Sequence, residues 1–254
     1  MTSAIEHWQQ EAAAGRTDGT RDLIARDLED NAIEAALKSL PVKRTKNLRV
    51  VELGCGAGRI AARCAPFVRS WQGVDSSPGM VAASARQGLT NAVFEVGEAG
   101  QWLVHRIRQT DPVADVVITQ RVLINLQTWP EQLSTINLIA AVLRPGGYYL
   151  MCENSMDGFA AIKLQRAALG LPDIAWPSHN RYLSSQELRE VKGLRLERCE
   201  QFSATYYFLS RIVQPALLEP GQEPDYEAPI NELARRLPAF GPFAQGRLWI
   251  WRKP

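Results

Sequence analysis

The sequence predicts an α/β fold, a mostly parallel sheet wound with helices on both faces, and three observations carry that expectation. Short apolar runs at 48–53, 71–75, 92–96, 115–119 and 148–152 are spaced by helical patterns. The first run passes straight into glycines at alternate positions, Val50-Val51-Glu52-Leu53-Gly54-Cys55-Gly56-Ala57-Gly58-Arg59. The second run closes on an acid, Asp75, about 20 residues after that glycine loop, the usual distance in nucleotide-binding βαβ units. Strands that alternate with helices favour a parallel sheet, and ligands of such sheets bind beyond the carboxyl ends of the strands.

Length and composition bound the rest. At 254 residues, 46% hydrophobic and 22% charged, the chain suits one large domain with a sizeable core, expected to span 1–254. Lys plus Arg number 29 against 27 for Asp plus Glu, so a net charge of +2 argues against a nucleic-acid partner. The short basic run Lys43-Arg44-Thr45-Lys46 reads as a solvated connector into the first strand. No N-terminal apolar core of a signal peptide and no apolar stretch near ~18 residues is present, so a cytoplasmic protein with no membrane span is expected. Cys55, Cys64, Cys152 and Cys199 form no C-x-x-C pair and the three histidines are far apart, which predicts reduced packing cysteines and no metal site.

Taken in order, residues 1–47 form an N-terminal helical region. Thr20 can cap a helix in which Ile24, Leu28, Ile33, Leu37 and Leu40 keep helical spacing until Pro41 stops it. That helix is either a cover on the sheet or a lid with His7, Trp8, Arg21 and Asp22 at the opening. Residues 48–153 carry the strands. A helix follows the glycine loop from Gly58, and Ser77-Pro78 caps and opens another through Arg86. Thr128-Trp129-Pro130-Glu131 is a capping box ahead of Leu133, Ile136, Ile139, Ala140 and Leu143, and Arg144-Pro145-Gly146-Gly147 ends that helix. Residues 154–254 form a substrate side. A helix over 156–169 stops at Gly170-Leu171-Pro172, and Ser184-Ser185-Gln186-Glu187 offers a second capping box. Strands at 194–202 and 247–252 flank an insertion, 203–245, with helical patches at 206–213 and 230–237 and a Pro-rich link.

The glycine loop alone suits any nucleotide-like ligand, but a dinucleotide fingerprint needs glycine at position 59, where Arg59 stands. The E-x-G-x-G-x-G form instead resembles the class I S-adenosylmethionine-dependent methyltransferases. Further segments are similar to that family in order and spacing: Gly73-Val74-Asp75-Ser76-Ser77-Pro78-Gly79-Met80, Gly97-Glu98-Ala99 and Leu143-Arg144-Pro145-Gly146-Gly147. The resemblance implies a seven-stranded Rossmann-like sheet whose last strand is inserted antiparallel, with the strands at 194–202 and 247–252 as the final pair. It implies S-adenosylmethionine as cofactor and S-adenosylhomocysteine as product. Glu52, Gly54, Cys55, Gly56 and Gly58 would face the methionine moiety, Asp75 and Ser76 the ribose, and Met80, Gly97, Glu98 and Ala99 the adenine. Gln120 and Arg121 would border the transferring methyl, with a surface ion pair as the lesser alternative for Arg121.

A sulfonium methyl is already activated, so transfer gains mainly from alignment and exclusion of water, whereas a hydroxyl acceptor gains from a general base. His179, in Trp176-Pro177-Ser178-His179-Asn180-Arg181-Tyr182, is the candidate base, with an ordinary loop histidine as the competing role. Glu153 and Asn154 leave the fifth strand and could orient an acceptor or cap the next element. Trp176, Arg181 and Tyr182 are the candidate substrate contacts, and Tyr206 and Tyr207 could wall the site or fill the core. Arg121-Val122-Leu123-Ile124-Asn125-Leu126 with Cys152-Glu153-Asn154 resembles a bacterial subgroup tied to saccharide and secondary-metabolite pathways. An O-methyltransferase of a small molecule or saccharide is therefore expected. The alternatives are an N-methyltransferase of a small molecule or peptide, a non-catalytic S-adenosylmethionine-binding subunit, and a nicotinamide oxidoreductase. The oligomeric state is open.

Overall fold

The structure, a computed structural model, describes residues 22–109, 114–219 and 221–254. Seven strands, β1 (Arg49–Leu53), β2 (Ser70–Asp75), β3 (Ala92–Val96), β4 (Ala114–Gln120), β5 (Leu143–Asn154), β6 (Arg195–Glu200) and β7 (Gly246–Arg252), form one sheet. Its order is β3-β2-β1-β4-β5-β7-β6. Strands β1 to β5 pair in parallel, and β7 runs antiparallel between β5 and β6. This is the seven-stranded arrangement, with its last strand inserted antiparallel, that the resemblance implied. The order reverses between β1 and β4, which opens a crevice beyond their carboxyl ends.

Both faces of the sheet are covered, which is why its central strands read as continuous apolar runs rather than alternating ones. On one face Val50, Val116, Ile118, Leu150, Leu248 and Ile250 pack under α1 (Leu23–Ser39) and α2 (Arg59–Cys64). On the other, Val51, Leu53, Val117, Tyr149, Met151, Trp249 and Trp251 meet Leu103 of α4 (Ala99–Gln109) and Ile136 and Ile139 of α5 (Trp129–Val142). Ile33 and Leu37 of α1 are fully buried, each contributing roughly 1.5–3 kcal/mol relative to exposure. The remaining helices are α3 (Pro78–Ala85), α6 (Met156–Ala168), α7 (Ala204–Phe208), α8 (Gln214–Leu217) and α9 (Pro229–Glu232).

Several boundaries differ from the sequence reading for identifiable reasons. Asp22 caps α1 by accepting from Ala25 N at 3.0 Å; Thr20 lies outside the described residues, as do His7, Trp8 and Arg21. The helix α4 was not anticipated from spacing, because it buries only Trp102 and Leu103 and stacks Arg106 on Trp102 at 5.2 Å. The capping box of α5 forms in full. The segment Arg144–Gly147 is not a separate turn before β5 but a bulge within it, where the register with β4 jumps from Ala114↔Leu143 to Val116↔Tyr148. At the second expected capping box, Ser184 N donates to Glu187 at 3.3 Å, but Ser184 Oγ takes Gln186 N, so only a 3₁₀ turn, Glu187–Glu190, follows. In the insertion, α7 runs into a π-helical turn, Leu209–Val213, and then α8. No helix among the described residues is long and apolar enough to cross a membrane.

Candidate active site

The glycine loop is built where β1 and β2 stop. Gly54 takes φ +67°, and its N–H and that of Cys55 both donate to Val74 O, at 2.7 and 3.0 Å, tying the loop to β2. A Cβ at Gly54 would lie 2.4 Å from Val122 Cγ2, so the loop packs against the segment after β4 only because that atom is missing. Gly56, at φ +50°, differs: a Cβ there would meet nothing within 4 Å and would stand in the open space the loop encloses. Asp75 closes β2 and accepts from Gly56 N through Oδ2 and from Ser77 N through Oδ1, both at 2.9 Å. Burial raises its proton affinity while those two N–H groups lower it. Each of its oxygens keeps a lone pair that can accept from a ligand hydroxyl.

Ser77 caps α3 and places the buried Met80 in the first turn, while Gly97, Glu98 and Ala99 lead into α4 on the same side. Met80, Gly97, Glu98 and Ala99 line a cavity of about 870 Å³, together with Gly54, Gly56, Asp75, Ser76, Gln120 and Arg121. Glu52, Cys55 and Gly58 lie outside its wall. Glu52 sits behind the loop, 2% exposed, accepting from Trp71 Nε1 at 3.0 Å, and burial pushes its carboxyl up to about 8. Burial likewise pushes the Cys55 thiol far above its ordinary range, which leaves it a packing group.

The segment after β4 is held from two sides. Arg121 takes a left-handed φ of +55°, uncommon for a side chain of its size. Its N–H donates to Cys152 O at 2.9 Å, and its carbonyl accepts from Asn125 Nδ2 at 2.8 Å. From β5, the buried Glu153 accepts from Val122 N and Leu123 N through Oε1 at 3.1 Å and from Ile124 N through Oε2 at 3.3 Å. Desolvation outweighs these bonds and pushes it up to about 7. Glu153 is thus outside the cavity wall and occupied by backbone, whereas its neighbour Asn154 lines the cavity. From α1, Glu29 accepts from Gln120 Nε2 at 2.8 Å and pairs with Arg121 Nε at 3.3 Å, and Asp30 pairs with Arg59. The helix therefore packs on the sheet with its apolar stripe and lines the cavity with Asp22, Ala25 and Glu29.

The far end of the cavity is formed by the loop after α6 and by the insertion. His179 is half-buried and lines it with Asn180 and Tyr182. The loop is fastened through its backbone: Gln127 Nε2 donates to His179 O at 2.7 Å and Arg181 N to Ile124 O at 2.7 Å. Arg181 points away, donating to Gln132 Oε1 at 2.7 Å and pairing with Glu187, so it is not in the wall. Trp176 is also outside, packed edge-on against Phe159 with ring centroids 5.2 Å apart. Phe159, Tyr182 and Tyr207 supply aromatic wall, whereas Tyr206 is buried behind it and donates to Asp22 at 2.5 Å. Glu29, Arg211, Tyr226 and Gln245 join the wall without having been singled out from the sequence. Arg211 and Glu29 had one signal, a charge on an otherwise apolar helical face. Among the described residues no group of three or more His, Cys, Asp or Glu side chains is placed to hold a metal ion.

Residues 44–189 match the family described as a methyltransferase domain. No curated protein matches the sequence significantly. Among similar solved structures, a Haloferax volcanii methyltransferase in complex with the Trm112 methyltransferase activator is 19% identical, with TM-score 0.63 over 100% of this chain and 99% of that one. The N-methyltransferase NodS from Bradyrhizobium japonicum, in complex with S-adenosyl-L-homocysteine, is 13% identical, with TM-score 0.56 over 97% and 98% of the two chains. Magnesium protoporphyrin IX methyltransferase from Synechocystis, also with S-adenosylhomocysteine, is 14% identical, with TM-score 0.57 over 90% and 85%. At these identities the likeness is one of fold.

Proposed function

Because the chain belongs to the methyltransferase-domain family that residues 44–189 match, we propose that it moves the methyl group of S-adenosylmethionine to a hydroxyl of a small-molecule or saccharide acceptor. One observation carries this reading: a single cavity of about 870 Å³ runs from Asp75, Met80 and Glu98 to His179, Asn154 and Tyr182. Family membership sets aside the nicotinamide reading.

The residues present fit the cofactor. Gly56 leaves open the space a Cβ would fill, and Asp75 has oxygen lone pairs at the end of β2, suited to two ribose hydroxyls. Met80 would pack on the adenine, and Glu98 would accept from its amino group. When bound, S-adenosylmethionine supplies a methyl already activated by the sulfonium. The protein's own share is then alignment, dehydration and a proton acceptor. Glu153 acts as a positioning residue, because its three backbone hydrogen bonds fix the segment that carries Arg121 and Asn125. His179, half-buried at the far end with its main chain fastened by Gln127, is the group placed to take a hydroxyl proton.

The test is formation of S-adenosylhomocysteine with a panel of hydroxyl and amine acceptors, in wild type and His179→Ala. Turnover is expected to fall about 10²–10⁴-fold in the variant, with S-adenosylmethionine affinity within about twofold of wild type. Near-normal turnover would remove His179 as base and favour an amine acceptor. Binding of the cofactor without turnover of any acceptor would favour a non-catalytic subunit.

A further inference from the structure

Resting on the methyl-transfer reading above, we propose that the acceptor carries a carboxylate and that Arg211 is the residue that selects it. Arg211 lies in the π-helical turn Leu209–Val213, a widened turn of the kind that recurs at functional sites, and it lines the same cavity as the glycine loop. Its guanidinium is always charged and offers five donors in a planar fork. Nη2 uses one donor on Asp22 Oδ2 at 3.2 Å. Asp22 cannot satisfy more of the fork, since its Oδ1 already accepts from Tyr206 Oη at 2.5 Å and from Ala25 N at 3.0 Å. Nη1 is buried and has no hydrogen-bond partner.

A buried donor left unpaired destabilises a fold, so a native protein that keeps one invites an explanation. Here a ligand is the missing partner. The fork matches a carboxylate in shape as well as charge, and a single contact to Asp22 leaves its other edge unused. The surroundings favour such a pairing over a hydrated one. The guanidinium lies 3.9 Å from the Tyr226 ring centroid and 5.3 Å from that of Tyr207, so π faces replace water around it. Tyr226 is 40% exposed, and its ring is the cover that an incoming carboxylate displaces. The same tyrosines, with Tyr182, give an apolar wall for the body of the acceptor. Charge at one end and rings along the side describe an aromatic hydroxy acid or a sugar acid.

Calorimetric titration of protein saturated with S-adenosylhomocysteine tests this, using two matched pairs: 4-hydroxybenzoate with 4-hydroxybenzamide, and glucuronate with glucose. In at least one pair the acid is expected to bind tenfold or more tighter than its neutral partner, on the order of what one charge-assisted contact supplies. Arg211→Met should abolish that preference while S-adenosylhomocysteine affinity stays within about twofold of wild type. Arg211→Lys keeps the charge without the fork and guards against loss of fold; it should lose most of the preference at an unchanged melting temperature. Equal binding of acid and neutral partner, no binding of either acid at millimolar concentration, or a full preference surviving in Arg211→Lys would each overturn the proposal. Failure of wild type to bind S-adenosylhomocysteine would instead overturn the reading on which it rests.

Discussion

Glu52 shows how a side chain can belong to a site without entering it. In the unfolded chain its carboxyl ionises near 4.5, whereas desolvation by burial, only partly offset by the hydrogen bond from Trp71, pushes it to about 8 in the folded protein. Between those values the folded state holds a proton that the unfolded state has released, so stability falls as pH rises across the window. Glu153, pushed to about 7, adds to the slope in the lower part of the same window. Glu52→Gln mimics the protonated form and can accept the same Trp71 bond, so it should flatten the dependence above about pH 7. Urea unfolding between pH 6 and 9 measures this; an undiminished slope in the variant would assign the titration to another group. Asp75 was legible in the sequence as the acid that ends a strand and Met80 through the resemblance of its segment to the family, and both line the cavity. Arg181 and Trp176 were not, since a loop's sequence does not reveal which way its side chains turn.

At the scale of elements, the glycine loop separates two functions that its spacing lumps together. Gly54→Ala meets Val122 Cγ2 at 2.4 Å in a left-handed backbone, so it should destabilise the fold by about 2–4 kcal/mol. Gly56→Ala meets nothing within 4 Å, so its stability cost is confined to backbone strain, about 1 kcal/mol, while the new methyl is added to the cavity wall where we propose the cofactor binds. Thermal unfolding should therefore distinguish the first variant and S-adenosylhomocysteine titration the second, with a loss of tenfold or more in affinity for Gly56→Ala. Equal effects on both measurements would contradict the division. The same scale explains why α4 escaped the sequence reading and the α5 cap did not. A capping box is a local pattern, whereas α4 is held by two buried residues and a stacked arginine.

Across the whole molecule the cavity joins parts far apart in sequence: Asp22 and Glu29 from α1, the strand ends, the loop 174–182, and Arg211 and Tyr226 from the insertion. A ligand bound in this shared cavity should be coupled to global unfolding. At a concentration about 100 times its Kd, S-adenosylhomocysteine should stabilise the protein by about 2.7 kcal/mol and raise the melting temperature by about 5–10 °C. Near-ultraviolet circular dichroism, which follows the buried tryptophans, and far-ultraviolet signal, which follows the helices, should shift together. A separate, ligand-insensitive transition would mean that the insertion is not part of the site.

The sequence by itself determined the strands, the glycine loop, the acid that ends β2 and the family. The first three rest on periodicity, turn chemistry and spacing, all written within a few neighbouring residues, and the family on the resemblance of those segments to known methyltransferases. Tertiary structure decided which side chains share the cavity. It turned Glu52 and Glu153 inward as supports, turned Arg181 away, and brought Glu29 and Arg211 into the wall that the glycine loop also lines. That outcome depends on how α1 and the insertion pack across the ends of the sheet, and packing between distant segments leaves no local pattern to read.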